Sequence, residues 1–265
     1  MLTCKDLAAH VKQHIKAKVE TLGRAPVLTI ISVGDDPASK SYVKGKIRDC
    51  EEVGIDVIYN ELYVGCTQEQ LNEIVALSNE DSDGIIVQLP LPKHLDADKA
   101  LSLMDPSKDV DGLRSDSPFT PCTARGVFEW LNYNLDLEGK HVAIINRSKL
   151  VGRPLAKLLL DANATVTVCH SKTGYLKAHT SIADIVVTAV GKAGFIDFRD
   201  VRNGAVVVDV GINRNADGKL CGDYACSKYD QECSIYATPV PGGVGLLTRA
   251  YLLQNVLDAY LANLT

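Results

Sequence analysis

Short apolar runs alternate with helical patterns along almost the whole chain, and that alternation leaves few folds open. Residues 27–32, 57–64 and 84–87 read as strands in the first half, and 140–145, 165–169, 185–189 and 205–210 as strands in the second. Between them lie helical stretches. Asp36 stands as an N-cap before Pro37, and Val43, Ile47 and Cys50 then recur at helical spacing. Thr67 and Gln70 form a capping box ahead of Leu71, Ile74 and Leu77, which are expected on one buried face. Leu7, Val11, Ile15, Val19 and Leu22 give the N-terminus an amphipathic helix. Strands joined by helices pair in parallel, and such sheets bind ligands beyond the carboxyl ends of their strands. The expected fold class is α/β, in two domains around a cleft, the second a Rossmann-like doubly wound parallel sheet.

A chain of 265 residues has room for two modest domains. The first is expected at 1–122, joined by the final helix at about 246–265, and the second at 123–245; a helix through Val127, Trp130 and Leu131 crosses between them, and Leu252, Val256 and Leu261 make the last helix apolar. With 28 basic against 33 acidic residues, nothing in the formal charge of −5 calls for nucleic acid or an anionic membrane as partner. Eight scattered cysteines without a CxxC suit a reduced, cytoplasmic protein. Cys221, Cys226 and Cys233 lack paired spacing and a fourth ligand, so no metal is expected. The amphipathic N-terminus is neither a signal peptide nor a membrane span.

The second domain carries dinucleotide signs. After the strand at 140–145 comes Asn146-Arg147-Ser148, then Val151-Gly152-Arg153-Pro154 leading into a helix. The GxGxxG pattern is missing, because Asn146 stands where a first glycine is expected; asparagine can adopt the left-handed conformation such turns need. The strand at 165–169 ends in His170-Ser171-Lys172, where an enzyme preferring NAD usually has an acid for the ribose hydroxyl. With no acid there and Arg147 and Ser148 able to converge on a phosphate, NADP is the favoured cofactor. The plain alternative is that Arg147 and Lys172 are solvated loop charges.

In the first domain, Tyr42 and Lys46 are one helical turn apart, with Ser39 close to the same face. An aromatic surface and an ammonium are thus held side by side. Gln88 ends the strand at 84–87, and Asp111-Gly112 closes a polar loop. Taken singly, these are a surface helix, a polar strand end and an ordinary turn.

Together the motifs resemble those of the methylenetetrahydrofolate dehydrogenase/methenyltetrahydrofolate cyclohydrolase family, in order and over almost the whole chain. They are Val-Gly-Asp-Asp-Pro-Ala-Ser at 33–39 with Tyr42 and Lys46, Val-Gln-Leu-Pro-Leu-Pro at 87–92, Lys-Asp-Val-Asp-Gly at 108–112 and Pro-Cys-Thr at 121–123. Arg147-Ser148 with Val-Gly-Arg-Pro at 151–154, and Thr-Pro-Val-Pro-Gly-Gly-Val-Gly at 238–245, complete the set. The resemblance implies an N-terminal folate-binding domain, NADP on the Rossmann side, and a homodimer. Two reactions follow from it: hydride transfer from 5,10-methylenetetrahydrofolate to NADP, and hydrolysis of the methenyl cation to 10-formyltetrahydrofolate. Lys46 would be the acid/base, held by Gln88, with Tyr42 packed on the folate and Asp111 on the pterin's donor edge. Val87, Leu89 and the loop Pro241, Gly242, Gly243, Val244 and Gly245 would line the substrate. Thr123, Asn146, Arg147, Ser148, Val151, His170, Ser171, Gly191, Ile212 and Thr248 would contact the cofactor.

An amine acting as base at neutral pH has to be partly neutral, a state that desolvation or a neighbouring cation favours. A carboxylate matches paired N–H donors, and glycines let backbone approach a flat ring. The chain departs from the family at Asn146, Ala124, Ala193 and Leu246-Leu247, where glycine, proline, proline and Pro-Met are common. Two of these positions border the cofactor, which implies weaker or altered NADP binding. The competing readings are a cyclohydrolase with little dehydrogenase activity, another two-domain Rossmann oxidoreductase acting on a small hydroxy or amino acid, and a non-catalytic folate- or nucleotide-binding protein.

Overall fold

In a computed structural model describing residues 1–227 and 229–264, the chain divides into two units. One comprises Met1–Ala8 with Thr123–Thr248, the other Ala9–Cys122 with the chain from Arg249 onward.

The second of these is built on a three-stranded parallel sheet, with β1 (Val27–Val33) between β2 (Asp56–Leu62) and β3 (Gly84–Val87). Successive strand side chains point to opposite faces, which splits the core in two. Leu28, Ile30 and Ile86 pack with Val43 and Cys50 of α2 (Pro37–Val53), with Ile15 of α1 (Cys4–Val19), and with Leu252 and Val256 near the C-terminus. Ile31, Ile85 and Val87 pack on the other face against Leu71 and Val75 of α3 (Gln68–Asp81) and Leu101 of α4 (Ala97–Leu101). Each such fully buried aliphatic side chain contributes roughly 1.5–3 kcal/mol.

Local signals set the helix ends. The Asp36 carboxylate accepts the Ser39 N–H at 2.8 Å, Pro37 opens α2, and Gly54 in a left-handed conformation closes it. Thr67 and Gln70 satisfy each other's backbone N–H groups before α3. One expectation fails in part: α3 buries Leu71, Val75 and Ser78 and packs Ile74 against the same core, but Leu77 is 53% exposed. The buried stripe turns from Leu71 and Ile74 toward Val75 and Ser78, which leaves Leu77 at its outer edge.

The other unit carries a five-stranded parallel sheet. Here α5 (Cys122–Asn134) leads to β4 (His141–Ile145), α6 (Gly152–Asp161) and β5 (Thr165–Cys169). Then come α7 (Lys177–Thr180), β6 (Ile185–Thr188), β7 (Val206–Asp209) and the antiparallel hairpin β8 (Asn213–Arg214) and β9 (Leu220–Cys221). The chain closes with α8 (Tyr229–Glu232), β10 (Tyr236–Ala237) and α9 (Val244–Ala262), whose residues from Arg249 on belong to the other unit. The strand order β10-β7-β6-β4-β5 means that the chain leaves β4 for β5 on one side and crosses to β6 on the other. That reversal opens a ligand crevice beyond the carboxyl ends of β4 and β6. Trp130 of α5 is fully buried, stacks on Tyr236 at 5.7 Å, and donates its indole N–H to the Leu2 carbonyl at 2.9 Å, which ties the first residues to this unit. No helix among the described residues is long and apolar enough to cross a membrane.

Candidate active site

Lys46 lies on α2 and is only 8% exposed, an unusual position for a lysine. Its ammonium donates to Gln88 Oε1 at 3.1 Å and stands 3.9 Å from Asp111 Oδ2. Gln88 is held from both ends, its backbone N–H donating to the Ile31 carbonyl at 2.8 Å and its Nε2 to the Leu89 carbonyl at 2.7 Å. The Gln88 amide is thereby oriented with its oxygen toward the lysine. Asp111 precedes Gly112, whose φ of +69° and close neighbours Phe119 and Pro121 admit no side chain. Three residues far apart in sequence therefore meet around one buried amine.

Tyr42, one turn earlier on α2, is 41% exposed. Burial raises its hydroxyl above the ordinary tyrosine range, and the Arg249 charge opposes that rise. The Val87 side chain is buried in the core, so of this residue only backbone can face a ligand. Leu89 joins Pro90 through a cis peptide. Beneath the site, burial together with the Asp49 charge pushes the Cys50 thiol up to about 12, against the pull of Lys46. Asp109 is fully buried and its Oδ2 accepts the Arg114 N–H at 2.8 Å; burial raises its carboxyl above the usual range.

The remaining site candidates fall in the other unit. The 238–245 loop has a cis peptide before Pro241 and a positive φ at Gly242, and a Cβ on Gly243 would lie 2.3 Å from the Pro239 carbonyl. Val244 is buried, Gly245 exposed, and the hydroxyls of Thr123 and Thr248 meet at 3.1 Å. Of the departures from the family pattern, Leu247 packs against Gly126 in the interior while Ala193 is exposed.

Asn146 is not left-handed, contrary to expectation. Its side chain closes the turn instead: Oδ1 accepts the Ser148 and Gly152 N–H groups at 2.7 and 3.1 Å, and Nδ2 donates to the Ala189 carbonyl at 2.6 Å. Gly152 is obligatory, since a Cβ there would sit 2.0 Å from the Asn146 carbonyl oxygen. Ser148 Oγ accepts the Val151 N–H at 3.1 Å. Arg147, Ser148 and Ser171 are exposed, and the Arg147 guanidinium has no side-chain partner among the described residues. At the end of β5, His170 Nδ1 accepts the Lys172 N–H at 3.1 Å. Gly191 after β6 has φ +74° with open space beside it, and Ile212 is about half exposed. Among the described residues no group of three His, Cys, Asp or Glu side chains is placed to hold a metal.

Two residues near these sites were not singled out from the sequence. Arg249 Nε lies 2.9 Å from buried Asp49 Oδ2, without hydrogen-bond alignment, and its guanidinium lies against Gly45. Asp223 is buried behind Gly191. An arginine interrupting an apolar helix was a readable hint of the first, whereas Asp223 offered none.

Comparison with known proteins finds matches to both halves of the chain. Residues 2–111 match the model of the tetrahydrofolate dehydrogenase/cyclohydrolase catalytic domain, and residues 121–264 that of its NAD(P)-binding domain. The bifunctional protein FolD of a Sulfurovum species is 45% identical over 272 residues, covering 96% of each chain. The crystal structure of the Campylobacter jejuni bifunctional enzyme FolD, a methylenetetrahydrofolate dehydrogenase/cyclohydrolase, superposes with a TM-score of 0.93 at 41% identity over 99% of this chain and 98% of that one. The Trypanosoma brucei enzyme, crystallised with NADP cofactor and inhibitor, gives a TM-score of 0.90 at 32% identity over 100% of this chain and 98% of that one. With both of its halves matched and such relatives spanning nearly its whole length, this chain belongs to the tetrahydrofolate dehydrogenase/cyclohydrolase family.

Proposed function

We propose that this chain oxidises 5,10-methylenetetrahydrofolate to 5,10-methenyltetrahydrofolate with NADP and hydrolyses the methenyl cation to 10-formyltetrahydrofolate. The observation that carries the reading is the buried Lys46 amine between Gln88 and Asp111. Lys46 Nζ is placed to take the proton of the water that attacks the methenyl carbon. As the bond from that carbon to N5 breaks, N5 takes up the proton from Lys46 Nζ and the carbinol hydroxyl loses its own to become the formyl carbonyl. Gln88 keeps Nζ aimed through the 3.1 Å bond, Asp111 accepts the pterin's N–H donors, and Tyr42 offers its exposed ring for stacking. In domain terms, the unit of Ala9–Cys122 with the chain from Arg249 onward is the folate side, and that of Met1–Ala8 with Thr123–Thr248 the NADP side, so the expected bounds at 1–122 and 246 shift by a few residues.

The second unit fits a dinucleotide. Gly152 provides a turn too tight for a side chain, Gly191 is open, Arg147 has no side-chain partner among the described residues, and the end of β5 carries no acid. Bound there, NADP supplies the hydride acceptor. Arg147 and Ser171 hold its 2′-phosphate, while Thr123, Thr248 and the 241–245 loop orient the nicotinamide end. Asn146 favours a second reading, a cyclohydrolase with a weak dehydrogenase, because its Oδ1 occupies the Ser148 N–H in the turn and the Gly152 N–H that starts α6, groups that a pyrophosphate would use.

A homodimer is supported by β2, an edge strand that shows Ile58 and Tyr59 to solvent and runs into exposed Tyr63 and Val64. Eight free cysteines support a reducing compartment, the cytoplasm.

The deciding experiment mixes purified protein with 5,10-methylenetetrahydrofolate and NADP or NAD, following reduced nicotinamide and methenyl folate together. Rapid NADP reduction with little methenyl accumulation and little response to NAD is the expected result. Hydrolysis of added methenyl folate without reduction of either nucleotide would establish the second reading. Neither activity would defeat both.

A further inference from the structure

We infer that Asp223, at the base of the β8–β9 hairpin, is a positioning residue that sets the cofactor loop after β6. This rests on the proposed NADP site, to which Gly191 belongs. The Asp223 side chain is fully buried. Its carboxylate collects three consecutive backbone N–H groups: Val190 at 2.5 Å and Gly191 at 3.2 Å on Oδ2, and Lys192 at 2.8 Å on Oδ1. Thr188 Oγ1 at 3.2 Å and Asn213 Nδ2 at 2.9 Å complete the set.

Successive N–H groups turned to one point form a nest for an anion. Here the protein fills the nest with its own carboxylate, so these groups are not left for a phosphate and serve to hold the loop's shape. Asp223 is anchored in turn. Its N–H donates to Asp209 Oδ1 at 3.0 Å, and that of Tyr224 to Asp209 Oδ2 at 2.8 Å, at the end of β7. Two glycines permit this approach: a Cβ on Gly211 would fall 2.2 Å from Asp223 Oδ1, and one on Gly222 1.8 Å from Asp209 Oδ2. The clasp joins the loop carrying Gly191 to the one carrying Ile212, both expected cofactor contacts. A shift of either would misalign the nucleotide, and misplacement of about 1 Å is costly for positioned groups.

The test is Asp223→Asn, which keeps the volume but turns an NH₂ group toward N–H donors, with Asn213→Ala as a milder second variant that removes one donor. NADP dissociation constants are measured by equilibrium dialysis, KM and kcat for both reactions by absorbance, and protection of the 190–192 amides by hydrogen exchange. Expected for D223N are faster exchange at 190–192, a KM and Kd for NADP raised about tenfold, and methenyl hydrolysis within about twofold. N213A should raise the NADP Kd about threefold. Unchanged NADP affinity in a folded D223N, or equal loss of both activities in step with lowered Tm, would overturn the assignment. If D223N does not fold, unchanged affinity in N213A overturns it. Wild-type protein that binds no NADP would instead defeat the proposed cofactor.

Discussion

Replacing Gln88 with alanine separates orientation of the Lys46 amine from its chemistry. The variant removes the 3.1 Å acceptor on Nζ, while the amine keeps Asp111 at 3.9 Å. At an effective dielectric constant of about 20, two charges at that distance attract by at most about 4 kcal/mol, so the lysine is not left buried without a partner and the protein still folds. A hydrogen bond to a charged group is worth roughly 1.5–3 kcal/mol, and if all of it acts in the transition state the cyclohydrolase loses roughly 10- to 160-fold in kcat/KM. Hydride transfer requires no proton from Lys46, so the dehydrogenase should fall by a smaller factor. The assay follows methenyl folate absorbance for hydrolysis and reduced nicotinamide for oxidation, with circular dichroism as a check on folding. Hydrolysis within twofold of wild type would refute the idea that Gln88 aims the amine. Equal losses in both reactions would show that Gln88 serves folate binding alone.

Asn146→Gly should bind NADP several-fold more tightly by freeing the Ser148 and Gly152 N–H groups, at a cost of about 1–2 kcal/mol in stability; weaker binding by titration calorimetry would count against the second reading. Gly152→Ala puts a Cβ 2.0 Å from the Asn146 carbonyl and should abolish measurable NADP binding; retained affinity would mean that the turn relaxes freely. Asp83 is opposed by burial, but the bidentate Arg24 pair at 2.7 and 2.8 Å, the Val27 N–H and the Lys108 charge together hold its carboxyl below the usual range. Its stabilisation is therefore present above the unfolded value of about 4 and lost as pH falls through the lowered folded value. Asp83→Asn should cost about 2 kcal/mol at pH 7 and progressively less below pH 4; a urea-melt difference independent of pH would refute this.

The sequence by itself determined what depends on neighbours within a turn or two of chain. The Asp36 cap, the Thr67–Gln70 box, the positions of the main strands and the glycines of the tight turns all follow from backbone preferences and hydrogen bonds spanning three or four residues. Order and spacing of the motifs also carried the family. Tertiary structure alone decided that the buried stripe of α3 ends at Ser78 rather than Leu77, because both lie one turn beyond Ile74 and only the sheet surface chooses between them. It alone showed that Asn146 closes its turn with a side chain rather than a left-handed backbone, since Ala189 lies 43 positions away. The same holds for Asp223, whose partners in the 190–192 loop are more than 30 positions distant. A buried carboxylate is stable only where donors from separate strand ends converge, and that convergence is a property of sheet order, which no local pattern encodes.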